Sequence, residues 1–263
     1  MRIRKSSAAI ATGAAALGLG LGTMGMSRAA AGISPSYNSM SFSGYAFGVY
    51  DGYIWPHSIT ARWTEPRIAV HGYRDAYSTV FTGFGDDNAN AGSSGLSSSV
   101  PQIGTEADSV GGHTQYYAWY TTGPSTGIAW SPVRMHHVVR PGDHMAASAV
   151  VSGPLRDHFT LKITDTSSRG KWTTTKHIMN DYEPSGVSAG VTDPRYGLNL
   201  LANFGRVKFR NVTVNGRVLG SFAPHIGRYN FTRWTDGYTH TLAMASVLGA
   251  AGNSFSVTWH RKN

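Results

Sequence analysis

The stretch His158-Phe159-Thr160-Leu161-Lys162-Ile163 alternates polar and apolar residues at every step. A period of two puts Phe159, Leu161 and Ile163 on one side of an extended chain and their neighbours on the other. That is the pattern of a β-strand with one buried face. Two further stretches read the same way. Ile59, Ala61 and Trp63 alternate with Ser58, Thr60, Arg62 and Thr64, and Phe255, Val257 and Trp259 alternate with Ser254, Ser256, Thr258 and His260. Val207 and Phe209 also alternate, but Val212 and Val214 fall in the opposite phase, which predicts a bulge or an added residue near Asn211.

Turn signals separate these runs: Pro141-Gly142-Asp143, Ser168-Arg169-Gly170, Asn215-Gly216 and Gly252-Asn253. Ser and Gly crowd Gly85 to Ser99, which reads as a long surface loop. The best helical candidate, Thr239 to Ala251, is short and ends in glycines. Many short strands at this spacing predict an all-β sandwich or barrel. The composition agrees: 32 Gly, 11% aromatic and only 14% charged residues suit strands joined by many turns.

The 263 residues, 41% of them hydrophobic, are enough for one sizeable core. Residues 1–31 read as an export signal. Arg2, Arg4 and Lys5 precede an uncharged Ala/Gly/Leu-rich stretch from Ala8 to Met26, and Ala29-Ala30-Ala31 offers a small-residue cleavage site before Gly32. Residues 32–41 form a polar lead-in and 42–263 a single domain. The expected location is extracellular, with cleavage near Ala31. No later run is long and apolar enough to span a bilayer. Cysteine is absent, so stability must come from packing rather than disulfides. The net charge of +9 includes four basic residues of the signal; the remainder has 19 basic against 14 acidic residues, scattered along the chain. No Lys/Arg-rich run of the kind that binds nucleic acid is present.

Several chemistries lack their residues. His136 and His137 are adjacent, so a strand sends them to opposite faces, and no His-Glu-x-x-His occurs. Asp86-Asp87-Asn88-Ala89-Asn90 begins like a calcium loop but lacks the required Gly and Glu, having Ala91 and Ser97 in those places. Gly92-Ser93-Ser94-Gly95 is one spacer short of a nucleophile elbow. The expectation is no metal and no cofactor.

The most informative segment is Pro101-Gln102-Ile103-Gly104-Thr105-Glu106-Ala107-Asp108, followed by Gln115-Tyr116-Tyr117-Ala118-Trp119-Tyr120. It resembles the glutamic peptidases, or eqolisins, particularly their bacterial members. These carry Gln-x-Gly-Thr-Glu and then Tyr-x-Ala-Trp-Tyr-Glu. Ser43-Gly44-Tyr45-Ala46, Trp63-Thr64-Glu65-Pro66, Pro141-Gly142-Asp143 and Leu201-Ala202-Asn203-Phe204-Gly205-Arg206-Val207 resemble further family stretches in the same order. The resemblance implies an antiparallel two-sheet β-sandwich, a concanavalin-like jelly roll. It also implies cofactor-free peptide hydrolysis in acid by a Gln/Glu pair. In such a pair the carboxylate shuttles a proton while the amide holds the water and the oxyanion.

Gln102 falls on the family's Gln. The Glu has no counterpart: the corresponding piece is Ser185-Gly186-Val187-Ser188-Ala189-Gly190-Val191, with Gly190 at the position of the missing Glu. Glu183 is a substitute candidate, seven positions before Gly190, an odd offset that turns it to the opposite strand face. Asp181 and Asp193 are shorter alternatives. Around this site the family's Trp residues become Phe81 and Phe42, and its Glu becomes Thr121. Phe81, Trp119, Tyr117, Thr121 and Phe42 are the expected substrate-binding residues. Two functions follow. One is a secreted glutamic endopeptidase whose hydrolysis is impaired. The other is a non-catalytic sandwich, a pseudoenzyme, that binds peptide or glycan along the aromatic groove. A monomer acting on polypeptide, without nucleic acid or membrane partners once the signal is removed, is expected in either case.

Overall fold

A computed structural model of the chain describes residues 34–40, 42–48, 54–69, 74–85, 101–121, 132–167, 170–179, 186–193 and 200–260. Residues 1–31, read above as an export signal, most of the long Ser/Gly loop, and Asp181 and Glu183 lie outside them.

The described strands, numbered along the chain, stack in two antiparallel layers. The first layer runs, in hydrogen-bonded order, β7 (Val133–Val138), β6 (His113–Tyr120), β5 (Gln102–Val110), β4 (Ala76–Phe84), β11 (Gly186–Thr192), β2 (Phe42–Gly48), β15 (Ile226–Thr235), β16 (Tyr238–Ala245) and β17 (Phe255–Trp259). Two short strands add parallel pairings: β1 (Ser36–Ser39) on β15 and β12 (Leu200–Leu201) on the start of β4. The second layer runs β10 (Trp172–Met179), β9 (His158–Asp165), β8 (His144–Ser152), β3 (Ser58–Thr64), β13 (Arg206–Val214) and β14 (Arg217–Val218).

β13 belongs to both layers. Its residues Arg206 to Phe209 pair with β17, and from Arg210 it pairs with β3. The register shifts between Arg210 and Thr213, and Asn211 takes a positive φ of 51°. The extra residue explains the change of hydrophobic phase: Val207, Phe209, Val212 and Val214 are all fully buried. The bulge expected near Asn211 is therefore the point where the strand changes layer.

The alternating strands lie as their patterns predict. Phe159, Leu161 and Ile163, with Ile59, Ala61 and Trp63 of the same layer, face the space between the layers. Trp63 also donates from Nε1 to Glu65 Oε2 (3.3 Å) and Thr105 Oγ1 (3.1 Å), tying the second layer to β5 through polar groups inside the core.

The helical candidate is corrected. Tyr238–Ala245, most of Thr239 to Ala251, is strand β16. It forms a hairpin with β15 in which Thr235 opposes Tyr238, closed by Asp236-Gly237 with φ of 55° and 82°. An Asp-Gly pair with both φ positive is the two-residue turn that matches strand twist, and it outweighs the weak helical spacing.

Candidate active site

Side chains alternate across a strand, so residues in register on neighbouring strands share a face. In the first layer Ile103, Ala107, Val80, Val187, Ala189 and Val191 point into the inter-layer core. Gln102 and every second residue after it point to the other face, where Phe42, Ala46, Phe81, Trp119 and Tyr229 form a separate buried cluster.

That face is organised in rows. Gln102 on β5 pairs with Gly83 on β4, Gly83 with Ser188 on β11, and Ser188 with Ala46 on β2. The next row is Trp119, Gly104, Phe81, Gly190, Gly44 and Tyr229. The row beyond contains Tyr117, Glu106, Thr79, Thr192 and Phe42, and Asp108 opposes Tyr77 one row further on.

Glycine is required in these rows for space. A Cβ at Gly104 would stand 2.1 Å from the Val80 carbonyl oxygen, and one at Gly190 2.3 Å from that of Ser43. Both flank Phe81, whose ring meets Phe42 edge-on at 6.2 Å; Phe42 in turn packs on Tyr229 at 5.1 Å. A Cβ at Gly83 would meet the Gln102 Cγ at 2.9 Å. The Gln102 side chain therefore packs against the bare Gly83. Its Nε2 donates to the Phe84 carbonyl at 3.1 Å, and the residue is 3% exposed.

In register, the β11 residue across Gly83 from Gln102 is Ser188, and Gly190, the expected position of the missing Glu, lies one row further along. The Ser188 Oγ is buried and has no hydrogen-bond partner. Asp193, a substitute candidate, is ion-paired with Arg233 at 3.4 Å and sits five residues beyond Ser188.

The expected binding residues differ in exposure. Phe42, Phe81 and Trp119 are buried in the aromatic cluster, packed on one another rather than lining an open groove. Thr121, also buried, closes the β5–β6 ladder instead: its Oγ1 accepts from the Gln102 backbone N–H at 3.0 Å, and its own N–H donates to the Gln102 carbonyl at 2.9 Å. Tyr117 is partly exposed; its hydroxyl donates to Asp108 Oδ2 at 3.2 Å, and the Arg134 guanidinium lies 4.1 Å over its ring.

Glu106 and Asp108 form a buried acid pair on the same face, which sequence reasoning passed over. Burial, and for Glu106 also the neighbouring Asp108 charge, holds both carboxyls well above the usual carboxylate range. Glu106 Oε2 and Asp108 Oδ1 are covered from solvent, and the two side chains hydrogen-bond each other. Two carboxyls this close cannot both ionise cheaply, so they retain a proton between them. The signal was legible: Gln102, Glu106 and Asp108 share one parity along β5. The pair lies four to six residues from Gln102, about 13–20 Å along the strand, too far to act on a water at the amide. Among the described residues no group of three or more His, Cys, Asp or Glu could hold a metal ion.

Two antiparallel layers, with a Gln-bearing strand inside one, form a β-sandwich like that of the glutamic peptidases. Residues 51–243, most of the chain, match the Peptidase A4 family, the eqolisins, and the protein belongs to that family. Among solved structures it is similar to scytalido-glutamic peptidase bound to a peptide-based transition-state analogue (15% identity, 84% of this chain and 98% of that one, TM-score 0.59). It is also similar to SCP-B, a member of the eqolisin family, in complex with the tripeptide Ala-Ile-His (15% identity, 84% and 98% covered, TM-score 0.57). These likenesses concern the fold. No curated protein matches the chain.

Proposed function

We propose that this protein is an exported member of the Peptidase A4 family in which peptide hydrolysis is impaired. The observation that carries the reading is the row Gln102, Gly83, Ser188. An amide side chain packed against a bare glycine is placed to hold a water or an oxyanion against a group on β11. The group there is a hydroxymethyl, which neither titrates in acid nor spans the gap. A general base contributes roughly 10²–10⁴-fold to such a reaction, and among the described residues that row carries no carboxylate.

The ligand class is a polypeptide, following the family. The fully buried state of Phe42, Phe81 and Trp119 counts against a ligand laid along an open aromatic strip. Export rests on residues 1–31 of the sequence; protein recovered from culture medium should begin at or near Gly32, and an intact Met1 there would contradict it.

The test is Ser188→Glu, with Ser188→Gln as control. On a denatured protein substrate between pH 2 and 7, the Glu variant should exceed the parent by about 10²-fold or more, and the Gln variant should not. Equal rates in all three proteins, with Ser188→Glu shown to be folded, would overturn this assignment of the row.

A further inference from the structure

At the far end of β4 from Gln102, about 20 Å along the strand, lies a cavity of about 470 Å³. It opens where the β15–β16 hairpin, the end of β17 and β12 meet. Leu201, Leu242 and Trp259 form its apolar wall; Arg74, Arg233 and His240 bring cationic or N–H-bearing groups to it, with His260 at the rim of β17. No described lining residue is acidic.

The hairpin register builds the polar side. Arg233 opposes His240 directly, and Thr235 lies two residues on, so the three side chains share one face. Trp234, of the opposite parity, is 68% exposed on the other. Asp193, covered from solvent, bonds Arg233 and anchors its guanidinium. His240 Nε2 and Thr235 Oγ1 are shut off from solvent and have no hydrogen-bond partner within the protein. Most buried polar atoms are bonded; these two lie covered beside an arginine, on residues that line one cavity, and their spare bonding capacity points to a ligand there.

We infer that this cavity binds an apolar carboxylate. The planar guanidinium of Arg233, supported by Arg74, takes the carboxylate, since arginine's fork matches two carboxylate oxygens. A side-chain rotation turns the covered His240 Nε2 and Thr235 Oγ1 toward the carboxylate to complete its hydrogen bonds, and an aliphatic or aromatic body packs on Leu201, Leu242 and Trp259. The volume falls within the range of small-ligand sites, roughly 300–1,000 Å³, and suits a group of one or two residues in size. The C-terminal residue of a peptide and a free short-chain fatty acid both present this chemistry.

Calorimetric titration of the folded protein with N-acetyl-L-leucine, N-acetyl-L-leucinamide and octanoate tests the assignment. At least one of the two acids should bind saturably at a single site, and the tighter acid identifies the source. N-acetyl-L-leucinamide should bind at least tenfold more weakly than that acid. His240→Phe, which keeps a ring in place, and Arg74→Gln, at an exposed position, should each weaken it several-fold. Absence of saturable binding by both acids, equal binding of N-acetyl-L-leucine and its amide, or parental affinity in both variants would overturn it.

Discussion

Gly104 and Ser188 show how single residues set the site face. A methyl group at 104 must push against the Val80 carbonyl, which is backbone and held in the β4–β5 ladder. Gly104→Ala should therefore lower unfolding stability by about 1–3 kcal/mol, the usual range for overpacking, read as an earlier urea midpoint. Ser188→Ala should do the reverse or nothing. The hydroxyl it removes is buried without a partner, and deleting such a group relieves desolvation rather than breaking a bond. A loss of more than about 1 kcal/mol in that variant would mean that Oγ has a partner. Gln102 could be found in the sequence because its flanks carry a family resemblance. Ser188 could not, because its place opposite Gln102 depends on the register of three strands that lie far apart in sequence.

At the scale of elements, legibility follows solvent. Strands β3 and β9 each show one face to water, so their polar and apolar residues alternate and the sequence alone locates them. Strands β4, β5 and β11 are covered on both faces and have no such alternation. They are also the strands that carry the site. β16 hides its strand character in the sequence because its buried residues Leu242, Ala243 and Ala245 straddle a register shift against β15 and lose their period. The layer change in β13 was legible as a shift in hydrophobic phase. Asn211 holds it at a φ that asparagine and glycine tolerate and β-branched residues do not. Asn211→Gly should change stability by less than about 0.5 kcal/mol, whereas Asn211→Val should cost at least about 1–2 kcal/mol in the same urea titration.

At the scale of the whole molecule, three buried carboxyls make stability depend on pH. Glu65 lies between the layers, where burial pushes its carboxyl up from 4.5 to about 8, against the hydrogen bonds from Thr105 and Trp63. Glu106 and Asp108 shift in the same direction. In this window the folded chain keeps protons that the unfolded chain releases. The contribution to stability is thus fully present below about pH 4.5 and is lost as pH rises toward 8. The melting temperature should be higher at pH 4 than at pH 8. A difference of only 2 kcal/mol would move it by roughly 4–8 °C. Glu65→Gln should flatten the profile, and a melting temperature that climbs between pH 4.5 and 8 would contradict the assignment. A fold that is most secure in acid, with no carboxylate among the described residues of the Gln102 row, separates two properties that the family resemblance presents together.

The most direct measurement compares wild-type protein with Gln102→Ala on a denatured protein substrate across pH 2 to 7, following new amino termini over hours. Impaired chemistry predicts slow turnover in the wild type and little further loss in the variant. Rapid cleavage by the wild type that disappears in Gln102→Ala would show that a carboxylate does reach this amide, and the central claim would fail.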